Sequence, residues 1–246
     1  MYNIQLFISL SLIIRILFNY LFIGGFLSFN MESENTAVNA RTVLDGSVRV
    51  IIEDACNLSD LQIADLNKIT ARCFGKDVPL QETIEHVREA HLLTLLMVNE
   101  GIRGYGLNSR LVLNGTNVNY FGSGFIDPDL HNHNLYALLN NRRDLTMETD
   151  TIMTRTQNPK VYSAFRKLCL NTGRNVSPCF DGRIDGASLS LARAFFPECT
   201  DKQVCNGVYG RELMAETPRP DELTRFIMGK LDKSAGDAVI LVGRRV

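Results

Sequence analysis

The chain has no Cys-x-x-Cys pair among its six cysteines, so neither a zinc ribbon nor a thioredoxin-like redox motif is present. It has no long run of acidic or basic residues, and its formal net charge is only −1. No surface field therefore points to nucleic acid as a partner. Internal repeats and low-complexity stretches are also absent, which excludes solenoids and arrays. Histidine is scarce, with four in 246 residues, and zinc sites need three or four protein ligands.

What is present begins with an apolar amino terminus. Residues 4–29, "IQLFISLSLIIRILFNYLFIGGFLSF", are broken only by polar positions such as Arg15 and Asn19. As a helix this stretch would run about 39 Å, longer than the ~30 Å hydrocarbon core of a bilayer. Arg15 at mid-span costs about 2.5–3.5 kcal/mol, tolerable among so many Leu, Ile and Phe. Three readings stand: a membrane anchor, a misassigned start upstream of Met31, or a cleaved signal. Arg41 and Arg49 follow the stretch and no basic residue precedes it, so an anchor would leave the remaining chain cytoplasmic. With Met31 as the start the protein would be cytoplasmic outright. The organisation expected is an apolar segment 1–30, a linker 31–46 and one domain over 47–246, a size that buries a substantial core.

Four cysteines, Cys169, Cys179, Cys199 and Cys205, cluster late in the chain, and sequons stand at Asn57, Asn114 and Asn175. Both matter only in a secretory compartment, and chance accounts for both.

Through the domain, hydrophobic periodicity switches type in a definite order. "VRVIIED" (48–54) is β-branched and reads as a strand. Ser59-Asp60 offers a cap for an amphipathic helix in which Leu61, Ile63, Leu66, Ile69 and Phe74 recur, and Gly75 ends it. A second helix follows in "LQETIEHVREAH". Three apolar runs, 92–101, 105–115 and 117–126, are separated by turn residues at Asn99-Glu100-Gly101 and Asn114-Gly115, an antiparallel meander. "NLYALLNNRR" is helical, "TDTIMTRTQ" (149–157) is a strand, and Asn158-Pro159 opens another helix. Residues 187–196 and 221–231 read as helices, the latter capped by Asp221, and 237–246 as a terminal strand. The fold class is α/β with a mixed, mostly antiparallel sheet flanked by helices and a C-terminal elaboration.

One stretch decides whether chemistry is expected: "GFIDPDLHNHNLYALL" (124–139). A strand that gives way to a helix leaves outward-pointing N–H groups at the positive end of the helix dipole, a seat for a phosphate. His131 and His133 could alternatively ligate a metal beside Asp127 and Asp129, or the stretch could be a plain solvated loop.

Strand, two helices, three antiparallel strands, helix, strand, helix and a late strand is an order that resembles the GNAT (Gcn5-related) N-acetyltransferases. The resemblance covers most of 47–170 and the last strand. It is carried by "YFGSGFIDPDLHNHNLYALL" as fourth strand and pyrophosphate loop, and by "TDTIMTRTQNPKVYSAFRKL" as fifth strand and following helix. The resemblance implies acetyl-CoA as co-substrate and an amine, small-molecule or protein, as acceptor. It places coenzyme A against Phe125, Ile126, His131, Asn132, His133, Asn134 and Leu135. The family's loop runs Arg/Gln-x-x-Gly-x-Gly/Ala; here His131 stands for the basic residue, Asn134 and Tyr136 for the glycines. Asn132 and Asn134 tolerate left-handed backbone, whereas Tyr136 puts a bulky side chain where backbone meets phosphate. The family's usual acid falls on Phe165, so Tyr162, one turn earlier, is the substitute, with Asn158 at the strand end. No base is distinguished among Glu100, Glu148, Asp150, His91 and His133. The alternative is a non-catalytic member that keeps the fold for binding.

Overall fold

A computed structural model describes residues 48–245 of the chain. The apolar stretch 4–29 and the linker 31–46 lie outside the described residues; among the described residues no helix is long and apolar enough to cross a membrane.

The elements follow the expected order. Val48–Asp54 forms β1, Asp60–Phe74 α1, Leu80–Glu89 α2, Leu92–Val98 β2, Gly101–Leu113 β3 and Thr116–Ile126 β4. Leu135–Leu145 is α3, Thr151–Thr156 β5, Pro159–Asn171 α4 and Asn175–Ser177 β6. Gly186–Phe195 is α5, Val204–Cys205 β7, Glu222–Met228 α6 and Ala238–Arg244 β8.

Local chemistry sets these boundaries. Ser59 and Gln62 close a reciprocal capping box on α1, and Gly75 ends that helix in the left-handed region at φ 67°. Asn158 accepts a hydrogen bond from the Lys160 N–H at the start of α4, where Pro159 has no N–H to lose. β3 starts at Gly101, four residues earlier than its apolar run suggests, because Asn99 and Glu100 take positive φ (51° and 64°) and turn the chain in two residues.

The eight strands form one sheet in the order β1-β2-β3-β4-β5-β8-β6, with β7 beside β6 along the same edge of β8. Every pairing is antiparallel except β4 with β5. Helices α1, α2 and α5 cover one face through Leu66, Val87, Leu93, Leu107, Met153 and Leu191. Helices α3, α4 and α6 cover the other through Leu139, Leu96, Ile152, Phe165 and Met228. The late strand β8 is therefore interior: Ala238 to Val242 are all 0% exposed. Everything between β6 and β8 is an insertion carrying α5, β7 and α6.

Candidate active site

The site begins where β4 and β5 part. They pair in parallel from Val118 opposite Thr151 to Phe121 opposite Thr154, and no further. β4 continues to Ile126 and β5 to Thr156, leaving a V-shaped gap in the sheet. A bulge bends β4 at its vertex. Gly106 faces Gly124 and Asn108 faces Phe121, so β4 spends three residues against two on β3. Gly122 of "GSGFI" thus sits in the bulge and Gly124 at its edge, as glycines in a strand suggest.

Beyond the bulge the ladder alternates. Asp127 donates its N–H to the Arg103 carbonyl at 2.8 Å. Phe125, two residues earlier, therefore also faces β3, and Ile126 turns its polar groups into the gap. The Ile126 carbonyl accepts from the Cys73 thiol (3.2 Å) and from His131 Nε2 (3.0 Å) on that side. The Phe125 ring packs between Phe74 and Tyr105 on the α1 face, with centroids 5.2 and 5.3 Å away.

The loop that follows is fixed by charge. Asp127 is buried and accepts from Arg72 Nη1 (2.7 Å) and Arg103 Nε (2.9 Å), while Asp129 accepts from Arg72 Nη2 (2.8 Å). The hydrogen bond from Arg72 holds the Asp129 carboxyl below the usual carboxylate range. With both acids committed to arginines, His131 and His133 lack the carboxylate co-ligands of a metal site. Among the described residues no cluster of three His, Cys, Asp or Glu could hold a metal.

Asn132 (φ 72°) and Asn134 (φ 58°) occupy the left-handed region, and Asn134 caps α3 with its backbone only. The first bond of the helix ladder is Leu138 N–H to the Asn134 carbonyl. Leu135, Tyr136 and Ala137 thus present N–H groups with no helical acceptor, at the end of β4. Tyr136 does not obstruct them. Its ring turns toward the sheet, with the hydroxyl 3.5 Å from where a Cβ on Gly124 would lie. The fold is GNAT-like.

Within that GNAT-like frame the two residues expected to catalyse are placed otherwise. Tyr162 is a core residue, 1% exposed, whose hydroxyl donates to the Pro178 carbonyl at 3.0 Å. Burial pushes its phenol up to about 12. The requirement for a buried hydroxyl to bond locally has taken its proton away from the gap. Asn158 is a helix cap whose Nδ2 donates to Met214 Sδ at 3.3 Å. Phe165 packs edge-on against Phe121, centroids 6.5 Å apart. Of the acids weighed as bases, Glu100 pairs with Arg49 and Asp150 with Arg245, both at the surface.

Two features at the gap escape sequence reasoning. One is Arg143, on the polar flank of an amphipathic helix, which the fold buries at the vertex of the V. The other is a strap from the insertion, Arg211 to Ala215. Gln157, at the end of β5, accepts from Leu213 N–H (3.1 Å) and donates to the Arg211 and Lys233 carbonyls (both 3.3 Å). Across the gap Ala215 N–H donates to the Phe74 carbonyl (2.7 Å) and Arg211 pairs with Glu82 (2.6 Å). Between strap and α1 lies a cavity of 270 Å³ lined by Cys73, Phe74, Gly75, Met214, Ala215 and Glu216. Burial, with the Asp127 charge adding to it, pushes the Cys73 thiol up to about 12. No periodicity ties these residues to the gap, since the contacts span up to 141 positions, from Phe74 to Ala215.

No family model matches the sequence, and no curated protein matches it. Among solved structures the chain is similar to the ribosomal-protein-S18-alanine N-acetyltransferase from Escherichia coli, at 13% identity and TM-score 0.46, covering 80% of this chain and 96% of that one. It is similar to a GNAT family N-acetyltransferase (YhbS) from Escherichia coli solved with CoA, at 17% identity and TM-score 0.38 over 51% of this chain and 69% of that one. It is also similar to a GCN5-related N-acetyltransferase from Kribbella flavida, at 12% identity and TM-score 0.37 over 53% of this chain. This chain spans 33% of the length of the Kribbella flavida structure.

Proposed function

We propose that this protein is an N-acyltransferase that moves an acetyl group from acetyl-CoA directly to an amine. The observation that carries the reading is the V between β4 and β5, bulged at its vertex and ending beside an unsatisfied helix N-terminus. The pyrophosphate would meet the N–H groups of Leu135, Tyr136 and Ala137, with His131, Asn132, His133 and Asn134 forming the turn around it. The pantetheine arm would complete the sheet in the V, and the Ile126 N–H would hold the thioester oxygen as charge develops. With the cofactor entering from the α3 face, the amine approaches from the α1 face through the cavity under the strap. Glu216 is the charged residue of that lining. Direct transfer is favoured over an acyl-cysteine because the one thiol at the gap, Cys73, keeps its proton on the Ile126 carbonyl and is poorly ionised.

Titration calorimetry of acetyl-CoA into the full chain, beside Asn134→Asp, tests this. Micromolar binding that the variant loses, by an added charge against the pyrophosphate, supports the reading. No heat at millimolar ligand overturns it and leaves a non-catalytic GNAT-fold binding protein.

A further inference from the structure

Arg143 is 1% exposed and among the described residues no carboxylate pairs with it. The adjacent Asp144 is taken by Arg174 at 2.8 Å. The guanidinium is held instead by neutral acceptors: Asn108 Oδ1 from Nε (2.8 Å), Asn140 Oδ1 from Nη1 (3.1 Å) and the Leu107 carbonyl from Nη2 (2.6 Å). Its titratable neighbours are Tyr136 on α3 and Tyr120 on β4, both phenols raised by burial and therefore neutral. Burial lowers the guanidinium itself to about 10, which leaves it charged at neutral pH.

Space is cleared for this charge. A Cβ on Gly106 would lie 2.6 Å from Arg143 Cδ and Nε, and one on Gly124 2.7 Å from Nη1. These two glycines face each other across β3 and β4 beside the bulge. The guanidinium also lies 4.4 Å from the centre of the Phe121 ring, the last residue of β4 to pair with β5. A cation buried without a counter-ion carries a desolvation cost that no opposite charge offsets. Here it stands at the vertex of the V, one glycine backbone from the gap. Phe165, which has no proton to give, packs on the same Phe121 ring.

We propose that Arg143 supplies the charge that lets coenzyme A leave as a thiolate, in place of a proton donor. The inference rests on the acyltransferase reading. In the step, the amine nitrogen forms a bond to the thioester carbon, the C–S bond breaks with its electron pair on sulfur, and the amine's proton passes to solvent. The sulfur anion left between β4 and β5 is stabilised through the Gly124 backbone by the fixed guanidinium.

The thiol of bound CoA reports this charge without any acceptor. The full chain is loaded with CoA and the ultraviolet absorbance of the thiolate is followed against pH, for the wild type, Arg143→Lys and Arg143→Met. The bound thiol is expected to ionise about one pH unit or more below that of free CoA. Arg143→Lys keeps most of the shift and Arg143→Met abolishes it; Met also leaves Asn108 Oδ1, Asn140 Oδ1 and the Leu107 carbonyl without their donor, so its denaturation midpoint falls. A wild-type bound thiol that ionises at or above the free value overturns the proposal, even if neither variant folds. An Arg143→Met profile that coincides with that of the wild type overturns it too. Absence of CoA binding in calorimetry is the separate failure, that of the acyltransferase reading itself.

Discussion

At Gly124 a single hydrogen atom in place of a methyl group decides whether a buried cation fits. Arg143 cannot retreat, because three acceptors on two elements hold it. Gly124→Ala is therefore expected to destabilise the protein by about 1–3 kcal/mol, the usual range for overpacking, read as a lower urea midpoint. Gly115, which has nothing within 4 Å of an added Cβ but has φ 76°, would suffer for backbone reasons instead. At this scale the sequence tells the two apart poorly. A glycine in a strand announces a bulge or a close approach, but not that the neighbour is an arginine 19 positions away, from Gly124 to Arg143. The asparagines of "HNHN" are the opposite case, since their tolerance of positive φ is intrinsic and both adopt it.

Among the elements, the strap depends on Gln157, a buried side chain that makes three hydrogen bonds to backbone groups of Arg211, Leu213 and Lys233. Gln157→Ala leaves these partners unsatisfied and is expected to cost about 1–3 kcal/mol. Limited proteolysis should then cut between 207 and 217 faster than in the wild type, with the rest of the sheet intact. Elements with their own periodicity or caps are legible in the sequence: α1 from Ser59 and its apolar spacing, α4 from Asn158-Pro159, β8 from its apolar run. β6 and β7, of three and two residues, are not. Strands that short carry no pattern and exist because β8 offers them an edge.

For the molecule as a whole, burial of ionisable groups sets an alkaline limit. The thiols of Cys73 and Cys169 are pushed from an ordinary 9.0 up to about 12, and the Tyr162 phenol from 10.0 to about 12, chiefly by burial. Folding thus favours their protonated forms. Their stabilising contribution is full below about pH 9, where the unfolded groups are also protonated, and is lost as pH rises toward 12. Chemical denaturation at stepped pH should show a midpoint that declines over that window, and Cys73→Ser with Cys169→Ala should flatten the decline. The element order, and with it the GNAT-like topology, is the most legible property of this chain, because each element announces itself locally. The insertion is the least legible: it closes the site through contacts that only the finished fold brings together.

Strand β8 lies between two strands that precede it in the chain, and among the described residues β6 has no other strand partner. Until Ala238–Arg244 slots in, the half-built sheet carries a raw edge on β5 and an unmoored β6, with the whole insertion looped out between them. Closure is thus a late, long-range event during folding. The interval before it is when one molecule can stitch its β8 into a neighbour's vacancy, so crowding during synthesis, rather than heat, is the hazard this architecture carries.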